Sequence, residues 1–275
     1  RTAGGGSTKT AGGVVKVFVL PLCFFIVALF YAAAGFGGGS TYNALLSLAE
    51  TDYRIFPSIA LLCNLIVVSG GVWRFSKAGH IRLRRVVPWI VTSVPAAFLG
   101  GVWEVSESFF TGLLGMSLLV AGGHMMHFEV RKKDVPAQHM QNILQRFPVL
   151  LPCFAGLCLG LLAGIVGIGG GIFLAPLLYI LRWDHAKAIA GTCAVFILCN
   201  SLAGLGGHAV KLYGTALISQ LADYWPLGLA VLAGGQIGSW LGAVKMEKRL
   251  VALLTAILIL YVALRLLWRW SAMVF

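Results

Sequence analysis

Charge is scarce in this chain. Only 11% of its 275 residues are Asp, Glu, Lys or Arg, against 59% hydrophobic. A soluble domain carries about a quarter charged residues, so too little polar surface exists here for a water-soluble globule. Acidic residues are rarest, nine in all, and none falls in the middle of a long apolar run. The buried carboxylate of a proton pump is therefore missing. Zinc-ligand spacing is missing too: Cys23, Cys63, Cys153, Cys158, Cys193 and Cys199 all lie in apolar segments, without a His partner or an exposed loop. They read as small packing residues, not as metal ligands or a disulfide framework. No GxxxxGK[ST] stretch occurs, which argues against ATP drive within the chain. No motif asks for a cofactor, and the first apolar run is expected to continue into the fold instead of ending as a cleaved leader.

What is present comes in bilayer lengths. Phe56–Trp73, Val86–Val102, Phe109–Met126, Trp225–Val244 and Leu250–Leu267 are nearly uncharged and suit a hydrocarbon layer about 30 Å thick. Hydrocarbon offers no partner for a free N–H or C=O, so these spans must be helical. The expected fold is an all-α polytopic membrane protein. The net charge of +12 sits in loops, at Arg74, Lys77, Arg82, Arg84, Arg85, Arg131, Lys132, Lys133 and Arg146. That pattern marks cytoplasmic loops facing anionic lipid heads, not a nucleic-acid surface. The loop holding Glu104 and Glu107 has no Lys or Arg and is assigned to the outer side of a bacterial inner membrane.

The chain also repeats itself. Gly35-Phe36-Gly37-Gly38-Gly39 returns as Gly167-Ile168-Gly169-Gly170-Gly171, and Asp52 returns as Asp184. Leu62-Cys63-Asn64 returns as Leu198-Cys199-Asn200, and Ala97-Phe98-Leu99-Gly100 parallels Gly235-Gln236-Ile237-Gly238. Four landmarks in one order indicate a duplicated membrane unit. The expected division is a flexible tail 1–13, a first repeat 14–127, a basic cytoplasmic linker 128–147 and a second repeat 148–275.

As one helix, Val14–Glu50 would be roughly 55 Å long, nearly twice the hydrocarbon thickness. The glycine cluster must break it. Ser40 or Thr41 is expected to cap a new short helix, and Ile172–Leu181 should form its counterpart. The N-terminus of each short helix presents unpaired N–H groups and partial positive charge, a ready anion site. Asn64 and Asn200, part-way into apolar helices, can donate to an anion's oxygens. Thr192, Ser201 and Gln236 are weaker polar candidates. His124, His127 and His208 lie near helix ends and read as interfacial structural residues. The candidate substrate-binding set is Gly37, Gly38, Gly39, Ser40, Asn64, Gly169, Gly170, Gly171, Asn200 and Gln236.

Taken together, the two glycine-rich breaks, the short apolar helices after them, Asn64 and Asn200, and the small-residue patterns around Gly100 and Gly238 resemble the TauE/SafE family of sulfite and sulfonate exporters. The resemblance runs from about Val14 to Trp268. It implies export of sulfite, sulfoacetate or related organosulfonates, and no enzymatic activity. Two topologies are open: eight spans in two halves pointing the same way, or re-entrant hairpins in two inverted halves. The second is favoured because inverted halves rocking around a central site give alternating access. An anion channel, or a sulfur relay using Cys63 and Cys199, is the alternative.

Overall fold

The computed structural model describes residues 19–34, 37–131, 149–181, 183–184, 186–241 and 248–274, and the regular structure among them is all helical. The expected tail 1–13 and most of the linker lie outside the described residues. The first half of the chain contributes α1 (Leu20–Ala34), α2 (Gly39–Leu48), α3 (Phe56–Lys77), α4 (Leu83–Val102) and α5 (Glu107–Arg131). The second contributes α6 (Leu150–Val166), α7 (Gly171–Ile180), α8 (Ala186–Leu212), α9 (Leu217–Ala222), α10 (Trp225–Leu241) and α11 (Lys248–Val274). Helix α5 runs into the segment assigned to the linker, because no Gly or Pro interrupts Phe128–Arg131. Pro57 stands in the first turn of α3, where its missing N–H would have had no acceptor anyway. Among the described residues, Phe56–Lys77, Leu83–Val102 and Lys187–Leu212 are long and apolar enough to cross a membrane.

Glycine decides how these helices pack. Gly156, Gly160 and Gly164 recur every fourth residue and form one stripe along α6. A Cβ at each would overlap the backbone carbonyl O of Trp89, Ser93 and Ala97 on α4, in that order. The two helices therefore run parallel with their backbones touching. A second parallel pair is built the same way: a Cβ on Gly234 or Gly238 of α10 would overlap the carbonyl O of Phe25 or Leu29 on α1. In lipid, helices gain little from burying more apolar surface. Close backbone approach, with its dispersion and Cα–H···O contacts, supplies the association instead.

The central pair, α3 and α8, runs in opposite directions. Leu61 lies 3.1 Å from where a Gly204 Cβ would stand, and Phe75 lies 3.3 Å from that of Gly191. Helices α5 and α11 are antiparallel too, with Gly112 against Trp270 and Gly122 against Ile259 and Leu260. Ion pairs mark both ends of the bundle. At one end Arg54 pairs with Asp52 at 2.6 Å and Arg269 with Glu107 at 2.7 Å. At the other, Asp184 meets Arg82 at 3.2 Å and Arg85 at 3.1 Å. All four arginines are about half exposed, so each pair contributes about 0–1 kcal/mol.

Candidate functional site

Both glycine clusters turn the chain back on itself. Phe24, in the second turn of α1, stacks on Tyr42 at the start of α2, with ring centroids 4.6 Å apart. The Tyr31 hydroxyl lies 2.9 Å from Thr41 Oγ1. A straight helix would hold residues 24 and 42 about 27 Å apart, so α1 and α2 form a hairpin, not a spanning rod. The reversal uses Gly38 at φ 119°, which caps α2 without any side-chain hydrogen bond. The expected cap at Ser40 or Thr41 is thus corrected: both lie inside the first turn, buried. Glycine takes the cap because the left-handed backbone of the turn excludes a Cβ. The second hairpin turns through Gly167, Gly169 and Gly170, at φ 77°, 78° and 76°. Its returning helix α7 starts at Gly171, one residue before the expected start, and its Leu174 and Leu178 share a core cluster with Leu151 and Leu159 of α6.

The two hairpin tips converge on Asn64. A Cβ on Gly37 would overlap its Oδ1, and a Cβ on Gly39 would stand 2.6 Å from its Nδ2. From the other hairpin, a Gly169 Cβ would come within 2.9 Å of the same Nδ2. That amide nitrogen donates to the Ile168 carbonyl at 3.3 Å. Alongside, Asn43 Nδ2 donates to the Val166 carbonyl at 2.7 Å, joining α2 to the end of α6. Ser201 reaches the same place from α8, with its Oγ 3.2 Å from the Gly169 Cβ position. Asn43, Asn64, Asn200 and Ser201 are all fully buried. Yet Asn43 Oδ1, Asn64 Oδ1, Ser201 Oγ and both polar atoms of the Asn200 amide have no hydrogen-bond partner among the described residues.

Of the residues expected from sequence, Gly37, Gly39, Asn64 and Gly169 are brought together, with Ser201 beside them. Asn200 is one residue away on α8. Gly38 and Gly170 shape the turns instead, since each faces an aromatic ring of its own half, Tyr42 or Phe196. Gly171 abuts the Ile197 side chain, and Ser40 is buried in the first turn of α2. Gln236 is exposed, with Nε2 3.9 Å from the Gly70 Cβ position, outside this convergence. Asn43 gave no signal in the sequence because its counterpart in the duplication is Ala175, and symmetry was the pattern that singled out its neighbours. His208 is not interfacial: it is fully buried, with Nε2 2.8 Å from the Gly164 carbonyl O, so it ties α8 to α6.

A sequence model described as sulfite exporter TauE/SafE matches residues 20–266, which spans both hairpins and every helix between them. The chain belongs to the TauE/SafE family. Its relatives agree in class. A protein of Sinorhizobium fredii named as a probable membrane transporter is 32% identical over 250 residues, covering 90% of this chain and 97% of the relative. Another of that description, from Methanocaldococcus jannaschii, is 26% identical and covers 69% and 72%. A third, from Haemophilus influenzae, is 27% identical and covers 84% and 90%. No solved structure matches the chain. As a TauE/SafE member the chain is a membrane transporter, and the paired hairpins lie within the matched region.

Proposed function

We propose that this TauE/SafE member is a secondary transporter exporting sulfite or small organosulfonates, with one central site where the two hairpin tips meet. The observation that carries the reading is the cluster of buried, partnerless polar atoms around Asn64, Asn200 and Ser201. Each such group costs about 1–3 kcal/mol when left without a hydrogen bond. A ligand offering several acceptor oxygens would accept from Asn200 Nδ2, from the Ser201 hydroxyl and from the second N–H of Asn64 Nδ2, with free N–H groups of the α2 and α7 first turns nearby; the amide oxygens would face away from it. The groups so placed are neutral, so capture is weak and reversible, as export requires.

The proposed architecture is a pair of inverted repeats with re-entrant hairpins. Its support is the antiparallel course of α3 and α8, which hold the same place after each hairpin, and the fold-back shown by Phe24 and Tyr42. The corresponding glycines Gly100 and Gly238 also sit on corresponding leucine carbonyls, those of Leu161 and Leu29. In alternating access, the moving bodies would not be the two halves of the sequence, because α4 is locked to α6 and α1 to α10. Each body would combine helices from both halves.

Radiolabelled counterflow in proteoliposomes tests the reading. Saturable exchange is expected, competed by sulfite and sulfoacetate and not by acetate or chloride; absence of exchange from folded protein would overturn it. The cysteine relay makes a separate prediction. Cys63 is buried in the apolar core and Cys199 is half-buried, and both are free thiols. The variants Cys63→Ala and Cys199→Ala are therefore expected to keep counterflow at the parent rate, and loss of transport in folded Cys→Ala protein would revive the relay.

A further inference from the structure

At the Glu104 end of the bundle lies a cavity of about 240 Å³, whose wall includes Arg54, Pro57, Glu104, Phe110, Lys211 and Thr215. That is room for about eight waters at liquid density, or for a small oxyanion with part of its hydration shell. Pro57 forms part of its wall and also stands against the second hairpin tip, since a Cβ on Gly167 would overlap the Pro57 Cα. The cavity and the second hairpin tip therefore share Pro57. Its two cations differ in availability. The Arg54 guanidinium is held by both oxygens of Asp52, Nη2 donating to Oδ2 at 2.6 Å and Nε to Oδ1 at 3.1 Å, and this pairing keeps the Asp52 carboxyl below the usual carboxylate range. Lys211, half-buried in the last turn of α8, is left with Glu104 as the anion of the same cavity. Val105, Phe110, Ile165, Leu212 and Leu217 supply its apolar side, and Tyr53 and Thr215 add hydroxyls.

We propose that this cavity is a second anion site, for small oxyanions carrying an apolar group such as methanesulfonate, in which Lys211 takes the anion's oxygens and Glu104 is the resident charge that the anion displaces. An ammonium offers three donors to the three sulfonate oxygens, and the apolar wall accepts the alkyl part. With Arg54 matched by Asp52 and Lys211 by Glu104, the empty cavity is close to neutral. Occupancy is accordingly weak, which suits a staging post beside the hairpin tips. The role in transport rests on the function proposed above; the binding itself does not.

The test uses the full-length chain purified in detergent, with Thr215→Cys as a reporter on the cavity wall. Its labelling by a hydrophilic maleimide, measured above that of the parent chain, is expected to slow several-fold in methanesulfonate but not in gluconate at equal ionic strength. The protection should vanish when Lys211→Gln is added, persist with Lys211→Arg and strengthen with Glu104→Gln. Labelling indifferent to methanesulfonate, or protection that survives Lys211→Gln, would overturn the site. Should Lys211→Gln not fold, Glu104→Gln decides: protection no stronger than in the parent reporter would count against it. Protection without any counterflow would support this site while removing the transport reading, so the two ideas fail separately.

Discussion

Asn64→Ala is expected to lower counterflow by roughly ten- to a hundred-fold while the protein stays folded. A hydrogen bond to a charged group is worth about 1.5–3 kcal/mol, and each 1.36 kcal/mol is a factor of ten. The structural loss is smaller: one hydrogen bond to the Ile168 carbonyl, long at 3.3 Å, disappears, for about 1 kcal/mol. Transport and stability should therefore separate, which initial-rate counterflow and thermal unfolding of the purified protein will show. Asn200→Ala should behave in the same way and cost less stability still, since its amide has no partner to lose. Normal transport by both variants would remove the central site as drawn.

Gly164→Leu is expected to abolish the folded protein altogether. Gly164 sits where three helices meet: a Cβ would overlap the Ala97 carbonyl of α4, its own carbonyl accepts from His208 of α8, and its Cα lies 3.4 Å from the Gly204 Cβ position. The obstructing atoms are backbone, so no rotamer change relieves them. Overpacking in a well-filled interior costs about 1–3 kcal/mol even when side chains can move aside, and here α4 itself would have to shift. Gly71→Ala and Gly123→Ala are the controls. Among the described residues nothing lies within 4 Å of either Cβ position, and alanine is the better helix former by about 1 kcal/mol. Size-exclusion profiles of detergent extracts should show no monodisperse peak for Gly164→Leu and an unchanged one for the controls. A folded Gly164→Leu protein would mean that the α4–α6 contact is looser than described.

Much of this architecture is legible in the sequence, because bilayer physics constrains it so tightly. The long apolar runs have to be helices, and Val14–Glu50 has to break at its glycines because it is too long for the membrane. The direction taken after the break is not legible. It depends on the Phe24–Tyr42 stack, a contact between side chains eighteen residues apart whose geometry no local pattern announces. Asn64 stands out because the duplication repeats it. Asn43 and Lys211 do not, because neither has a counterpart, and because a lysine in the last turn of an apolar helix resembles an interfacial anchor. Gln236 is the opposite case: its place in the repeat singles it out, and the fold sets it on the exposed side of α10, away from Asn64 and the hairpin tips.

The parallel seam between α1 and α10 has a consequence for how the molecule is made. Between Ala34 and Trp225 lies most of the chain, so at about 5–20 residues per second the ribosome needs some ten to forty seconds to deliver the partner of the first helix. Throughout that interval the backbone face around Phe25 and Leu29 must rest against lipid or a chaperone of the insertion machinery. The second hairpin tip, which completes the surroundings of Asn64, also emerges only after the first hairpin and helices α3 to α6. A nascent chain thus holds one hairpin without its counterpart, and any route between the two tips can form only once the second has been inserted.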